Sequence, residues 1–342
     1  MNEEKLELKL SFIPGLQGVV LDEINKYSKF SVIEKNNDSI YLDFIDDFNL
    51  VRSLRSVARA YIVIRGSKYN PMYVSNHKSL LGSLLEMVMS RNEPGAFRTF
   101  KITCAGSDSV EVNEINSYIE DTFKLSKKDE SDIKIHIIKI DEIWEVGIQI
   151  TPRPLSFRAY KVRNMSGAMD PTIAYSLNSM CNLEQAKTYL NVFSGSATLL
   201  IEAGLSYSNL DTLIGFDINK EHLSLSIQNI KSAELIKKIT VKEANIFNNP
   251  DFGKFDVIVS DLPFGMVISK NEDLDKLYKT FIDYAEQHLN PNGVVAVYTS
   301  EFKIFEKVIE SSNFIIIQSL GINLITSENQ YLPTKILVLK LK

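Results

Sequence analysis

The sequence predicts an α/β protein whose back half is a doubly wound, mainly parallel sheet. Three observations predict it. From Thr188 onward, short apolar runs alternate with segments of helical spacing. One run, Phe255 to Val259, is rich in β-branched residues and ends in Ser260-Asp261-Leu262-Pro263-Phe264-Gly265, as a buried parallel strand feeding a tight turn would. The last two expected strands, Phe314 to Ile317 and Ile336 to Leu339, are joined by residues 318–335. That connection holds Gly321, Asn323 and Pro333 but no helical pattern, so the two strands should pair antiparallel.

Length and composition set the frame. A chain of 342 residues exceeds a single core and should divide into two or three domains. Its hydrophobic fraction of 44% and charged fraction of 24% are those of an ordinary globular chain, which excludes a disordered or fibrous class. No amino-terminal stretch resembles a signal peptide and no apolar run approaches a membrane span, so a cytoplasmic protein is expected. Cys104 and Cys181 are far apart and lie beside no histidine. His77, His136, His222 and His288 are scattered, so neither a disulfide framework nor a metal centre is expected.

The formal net charge of −5 argues against indiscriminate nucleic-acid binding. Its distribution is uneven, because every arginine, from Arg52 to Arg163, precedes residue 164. Guanidinium forks suit phosphate and stacked bases better than ammonium does, which makes the front half the candidate for an RNA backbone. Solvated arginines placed by chance are the competing reading.

In chain order, Leu6 to Leu10 alternates as a strand, Leu16 to Ile24 has helical spacing, and Ser39 to Phe44 alternates again. Asp47 to Ser56 reads as a helix and Tyr61 to Ile64 as a strand, a β-α-β-α-β succession that fits a ferredoxin-like unit over 1–65. A second α/β module follows over 66–152. It comprises a helix at Leu80–Met89, a strand at Phe97–Cys104, a helix at Val112–Phe123 and strands at Ile133–Ile138 and Ile143–Ile150, with Lys124–Asp132 as an exposed charged loop. Neither module carries a catalytic cluster. Thr151-Pro152-Arg153-Pro154 breaks the last strand and opens a linker over 153–176. In it Arg153, Arg158, Tyr160, Lys161 and Arg163 read as an RNA-facing strap or, equally, as a strand with a wet polar face. Asp170-Pro171 then starts a helix, with an N-cap and a first-turn proline.

The third domain occupies 177–342. Its first strand, Tyr189 to Phe193, leads into Ser194-Gly195-Ser196-Ala197-Thr198, small residues that let backbone amides approach a ligand at a helix amino-terminus. A second strand, Leu213 to Asp217, ends in an acid about twenty residues past that turn, the spacing at which a carboxylate meets the ribose of an adenosine. A nicotinamide or flavin nucleotide would use the same pair. No full G-x-G-x-x-G is present, however, and hydride transfer has no use for the turn at Asp261.

That turn suits an exocyclic amine. The Asp261 carboxylate and the Leu262 carbonyl can accept its hydrogens, Pro263 fixes φ, and Phe264 offers a flat face to a planar base. Two acceptors and a stack would turn the delocalised lone pair toward an incoming methyl group. By itself the tetrapeptide reads more readily as a strand-end turn whose aspartate caps the next helix and whose phenylalanine is core; its surroundings favour the amine.

These motifs carry a resemblance. Asn191-Val-Phe-Ser-Gly-Ser-Ala-Thr198, Asp217, Asp261-Leu-Pro-Phe-Gly265, Leu277-Tyr278-x-x-Phe281 and Arg158-x-Tyr160 make the chain similar to the THUMP-containing class I S-adenosylmethionine-dependent RNA methyltransferases that form N2-methylguanosine in tRNA. The resemblance implies a Rossmann-like seven-stranded sheet with an antiparallel final pair, preceded by ferredoxin-like and THUMP modules. It implies S-adenosylmethionine as cofactor and tRNA as partner; a monomer without metal is expected. It assigns the methionine end to Asn191, Phe193, Ser194, Gly195, Ser196 and Thr198, the ribose to Asp217 and the adenine to Asn245, with Ile218 and Ile246 as further cofactor-binding residues. The amine falls to Asp261, Leu262, Pro263 and Phe264. The chain departs from the family where Asn191 and Asn245 stand for acids and Ala197 for glycine. Each lost charge-assisted contact is expected to weaken cofactor binding by about 1–3 kcal/mol.

Overall fold

The computed structural model describes residues 5–165, 167–263, 274–325 and 330–342. The chain divides into two compact units, Met1–Phe12 with Val20–Ser156, and Ile13–Val19 with Phe157–Lys342.

In the first unit the strands are β1 (Glu7–Ser11), β2 (Val32–Lys35), β3 (Ser39–Asp43), β4 (Arg59–Gly66), β5 (Thr99–Cys104), β6 (Ser126–Lys127), β7 (Ile133–Ile140) and β8 (Ile143–Gln149). Helices α1 (Gln17–Ile24), whose first three residues fall in the second unit, α2 (Phe48–Ser53), α3 (Val74–Ser90) and α4 (Val110–Phe123) are interspersed. All eight strands join one sheet in the order β2-β3-β1-β4-β8-β7-β5-β6. Residues of the two expected front modules therefore share a sheet, joined where β4 runs antiparallel to β8 with Ile62 opposite Ile148. Alternation explains why the sheet has one apolar face. Leu42, Leu8, Ile62, Ile148, Ile135 and Ile102 fall opposite one another across six strands, and all six are buried. On β8 the buried Glu145 is satisfied by three donors: Lys9 Nζ at 2.8 Å, His136 Nε2 at 2.7 Å and Tyr41 Oη at 2.7 Å. Lys124–Asp132 is more than an exposed loop, since Leu125 is buried and the Asp132 carboxylate accepts from the amides of Arg98 and Thr99.

The second unit holds α5 (Pro171–Ser179), β9 (Thr188–Val192), α6 (Thr198–Ser206), β10 (Thr212–Asp217), α7 (Lys220–Ser232), β11 (Ile239–Glu243), β12 (Phe255–Asp261) and α8 (Leu274–His288). It closes with β13 (Leu289–Thr299), α9 (Phe302–Glu310), β14 (Phe314–Ile325) and β15 (Tyr331–Leu341). The seven strands order as β11-β10-β9-β12-β13-β15-β14, with β15 antiparallel to both neighbours. This is the Rossmann-like arrangement with an antiparallel final pair. That pair is much longer than its apolar patterns suggested, because alternating polar residues on an outer strand hide no periodic core. Chain order reverses between β9 and β12, so the crevice at their carboxyl ends is the switch point at which open α/β sheets bind ligands. Phe281, Tyr278 and Phe305 from α8 and α9 pack with Leu190, Val192, Ile258 and Val297 of the strands into the core beneath it.

Candidate active site

The first wall of the crevice is the turn between β9 and α6. Phe193, Gly195 and Ala197 have φ of 55°, 48° and 63°, so the chain winds left-handed before the helix begins at Thr198. Glycine takes this conformation freely. For Phe193 and Ala197 it costs about 1–2 kcal/mol each. The turn is held by Ser194 N donating to Phe216 O at 2.9 Å and by Gly195 N donating to Asp217 Oδ2 at 2.9 Å. Gly215 on β10 leaves room for it, since a Cβ there would lie 2.9 Å from that of Ser194.

Asp217 ends β10 and accepts Asn219 N through Oδ1 at 2.9 Å, with His222 Nδ1 at 3.8 Å. A carboxylate has about four lone-pair sites, so two backbone donors leave capacity for the hydroxyls of a ribose. Asn191 is buried with Nδ2 donating to Val192 O at 3.1 Å and Val259 O at 3.3 Å. The amide thus stitches β9 to β12, a task a carboxylate cannot perform, and leaves Oδ1 as its acceptor for a ligand. The Ser194 hydroxyl is buried and takes no partner among the described residues, as expected of a group that waits for a bound molecule.

The second wall is the end of β12. Leu262 N donates to Tyr298 O at 3.0 Å, the Leu262 side chain is buried, and Pro263 O accepts the Tyr278 hydroxyl at 3.0 Å. Burial pushes the Asp261 carboxyl up to about 7. Phe264 lies outside the described residues. One cavity of about 190 Å³ is lined by both walls, from Asn191, Phe193, Ser194, Gly195, Ser196, Thr198 and Asp217 on one side to Asp261, Leu262 and Pro263 on the other. The structure therefore brings together the residues expected to hold the methionine, the ribose and the amine. Ile218, Asn245 and Ile246 do not line this cavity. Ile218 is exposed, Ile246 is buried in the core, and the Asn245 side chain caps a short turn by accepting Phe247 N at 3.0 Å.

The linker needs a correction. Arg158 and Tyr160 were expected to face RNA, yet both are buried, donating to the buried Glu202 of α6 at 3.0 and 2.7 Å. Their polar atoms are committed to a carboxylate that water cannot reach, so they anchor the strap rather than present it. Lys161 is half-buried and donates to Met169 O at 3.1 Å, whereas Arg163 is exposed and bonds Gln228 at 2.7 Å. Arg153, in the first unit, is exposed.

Beyond Lys161 the strap returns to the crevice, where Met165, Gly167, Ala168 and Met169 line the cavity with His222 of α7. Sequence reasoning missed these residues because they are apolar or isolated and belong to no motif. The one available signal was the Asp170-Pro171 helix start, which places the preceding residues at a helix amino-terminus. Among the described residues no three histidine, cysteine, aspartate or glutamate side chains gather as metal ligands, and no helix is long and apolar enough to cross a membrane.

The chain is 23% identical over 361 residues to a tRNA (guanine(6)-N2)-methyltransferase of Methanocaldococcus jannaschii, an alignment covering 90% of this chain and 94% of that one. It is 25% identical over 234 residues to the U6 snRNA (guanine-N(2))-methyltransferase THUMPD2 of Bos taurus, covering 66% of this chain and 45% of that longer protein. Among solved structures, TrmN from Thermus thermophilus superposes with a TM-score of 0.77 at 17% identity, covering 98% of this chain and 100% of that one. SMU.472 in complex with SAH superposes with a TM-score of 0.70 at 13% identity, covering 98% of each chain. The family described as RMKL-like, methyltransferase domain matches residues 158–324, the segment that holds both walls of the cavity. Over that segment the chain is similar to the RMKL-like methyltransferase-domain family.

Proposed function

We propose that this protein transfers a methyl group from S-adenosylmethionine to the exocyclic N2 amine of a guanosine in tRNA. The single observation that carries the reading is the shared cavity, in which the left-handed turn and Asp217 stand opposite Asp261, Leu262 and Pro263. The named activities of the Methanocaldococcus jannaschii and Bos taurus relatives support the choice of amine, and the SAH complex of SMU.472 supports the choice of cofactor.

The residues present fit that cofactor. The Ser194 hydroxyl lacks a partner among the described residues, Asp217 keeps spare lone pairs, and Asn191 Oδ1 can accept from an ammonium. S-adenosylmethionine, when bound, supplies an electrophilic methyl on a sulfonium. Asp261 as carboxylate and the Leu262 carbonyl accept the two amine hydrogens, which localises the nitrogen lone pair and directs it toward the cofactor turn. Phe264 is assigned to stacking on the base. Within the strap, the exposed Arg163 is assigned to RNA phosphate.

The test is incubation of the purified protein with unmodified tRNA transcripts and S-adenosylmethionine, followed by mass mapping of the nucleosides. N2-methylguanosine is the expected product. Calorimetric binding of S-adenosylhomocysteine without methylation of any transcript would place the activity elsewhere.

A further inference from the structure

We propose that Tyr278 is the positioning residue of the amine site, holding the Leu262–Pro263 peptide in place from behind. The proposal rests on the function proposed above and adds to it a residue that touches neither substrate nor cofactor.

Tyr278 lies on α8, is fully buried and does not line the cavity. Its hydroxyl is 3.0 Å from Pro263 O and 3.2 Å from Thr299 Oγ1. A phenol has one proton, and a carbonyl can only accept, so that proton goes to Pro263. Thr299 must then donate to Tyr278, which it is free to do because its oxygen accepts the Glu301 amide at 3.0 Å. All directions in the chain from Glu301 N through Thr299 and Tyr278 to Pro263 O are thereby fixed, and each bond polarises the next.

The consequence lies in what this leaves over. Leu262 N is spent on Tyr298 O, proline has no amide hydrogen, and Pro263 O is spent on Tyr278. Among the described residues no donor is bonded to the Leu262 carbonyl, the group assigned to the amine. The backbone is gripped on either side of that carbonyl by different elements, at the Leu262 amide by Tyr298 of β13 and at the Pro263 carbonyl by Tyr278 of α8. Without the second grip Pro263, which no strand pairing holds, can rotate and take the carbonyl with it.

Tyr278→Phe removes only the hydroxyl and keeps the ring edge-on to Phe305 at 5.6 Å. Wild type and variant should melt within a few degrees of each other. They should bind S-adenosylhomocysteine within about twofold and show similar KM for the tRNA transcript, while kcat falls roughly 10- to 100-fold, as for a small misplacement of a reacting group. Thr299→Val should lower kcat in the same direction. Amide exchange at Leu262 should be at least severalfold faster in Tyr278→Phe, a readout that needs no RNA. Unchanged kcat in the variant, or unchanged Leu262 exchange, overturns the proposal. Inactive wild type with accelerated Leu262 exchange would sink the assigned reaction and leave the positioning role standing.

Discussion

Asn229 of α7 ties the strap to the turn between β9 and α6: its Oδ1 accepts Arg163 N at 2.9 Å, and its Nδ2 donates to Arg163 O at 3.2 Å and to Ser196 O at 3.4 Å. A fully buried amide thus joins two segments that both line the cavity, although they are more than thirty residues apart in sequence. Asn229→Ala leaves three backbone groups without their partner. At about 1 kcal/mol for each lost bond the variant should lose roughly 1–3 kcal/mol of stability. Its affinity for S-adenosylhomocysteine should drop by about tenfold or more in calorimetry. Full affinity in a stable variant would show that the strap is held by other contacts.

Arg158 and Arg163 are only five residues apart in the linker and should behave differently. Removing Arg158 leaves the buried Glu202 charge with one partner fewer, so Arg158→Ala should cost about 3–5 kcal/mol of stability. Arg163→Ala should leave the melting temperature nearly unchanged and weaken RNA binding in a salt-dependent way. Thermal melts and filter binding at two salt concentrations separate the two roles.

Asp261 predicts a pH dependence of both activity and stability. Burial raises its folded value from 3.8 to about 7. Between those values the folded state binds more proton than the unfolded one, and stability falls as pH rises. Asp261→Asn removes this titration, so the variant should match wild type near pH 4 and melt higher above pH 7. The gain should be on the order of 2–4 kcal/mol, at about 1.4 kcal/mol per pH unit. It should also turn over no RNA. Wild-type kcat/KM should rise through pH about 7 as the accepting carboxylate ionises. A flat profile between pH 6 and 8.5 in an active enzyme would remove Asp261 from its role.

Gly215 is a steric requirement of the turn between β9 and α6. An added Cβ would sit 2.5 Å from Leu200 Cδ1, which can swing away, and 2.9 Å from Ser194 Cβ, which is fixed to the backbone. Gly215→Ala should therefore cost about 1–3 kcal/mol through overpacking and displace Ser194 from the cavity. Differential scanning calorimetry with and without S-adenosylhomocysteine measures both effects. A variant as stable as wild type and stabilised equally by the ligand would contradict the contact.

The sequence by itself determined the fold of the back half. Apolar runs such as Phe255–Val259 are long enough and β-branched enough to be buried parallel strands, and small residues such as Gly195 mark the strand-to-helix turn. The order turn, acid, amine-facing tetrapeptide was legible because each motif is local, fixed by a few neighbouring residues. The tertiary structure alone decided which polar groups are committed elsewhere. Arg158 and Tyr160 read as surface residues until Glu202, some forty positions away, is packed against them. Asn191 read as a lost charge until Val259 O is found across the strand pair. Asn229 and Tyr278 gained roles only once a helix met a turn. A hydrogen bond between distant segments depends on three-dimensional proximity, and residue spacing along the chain does not encode it.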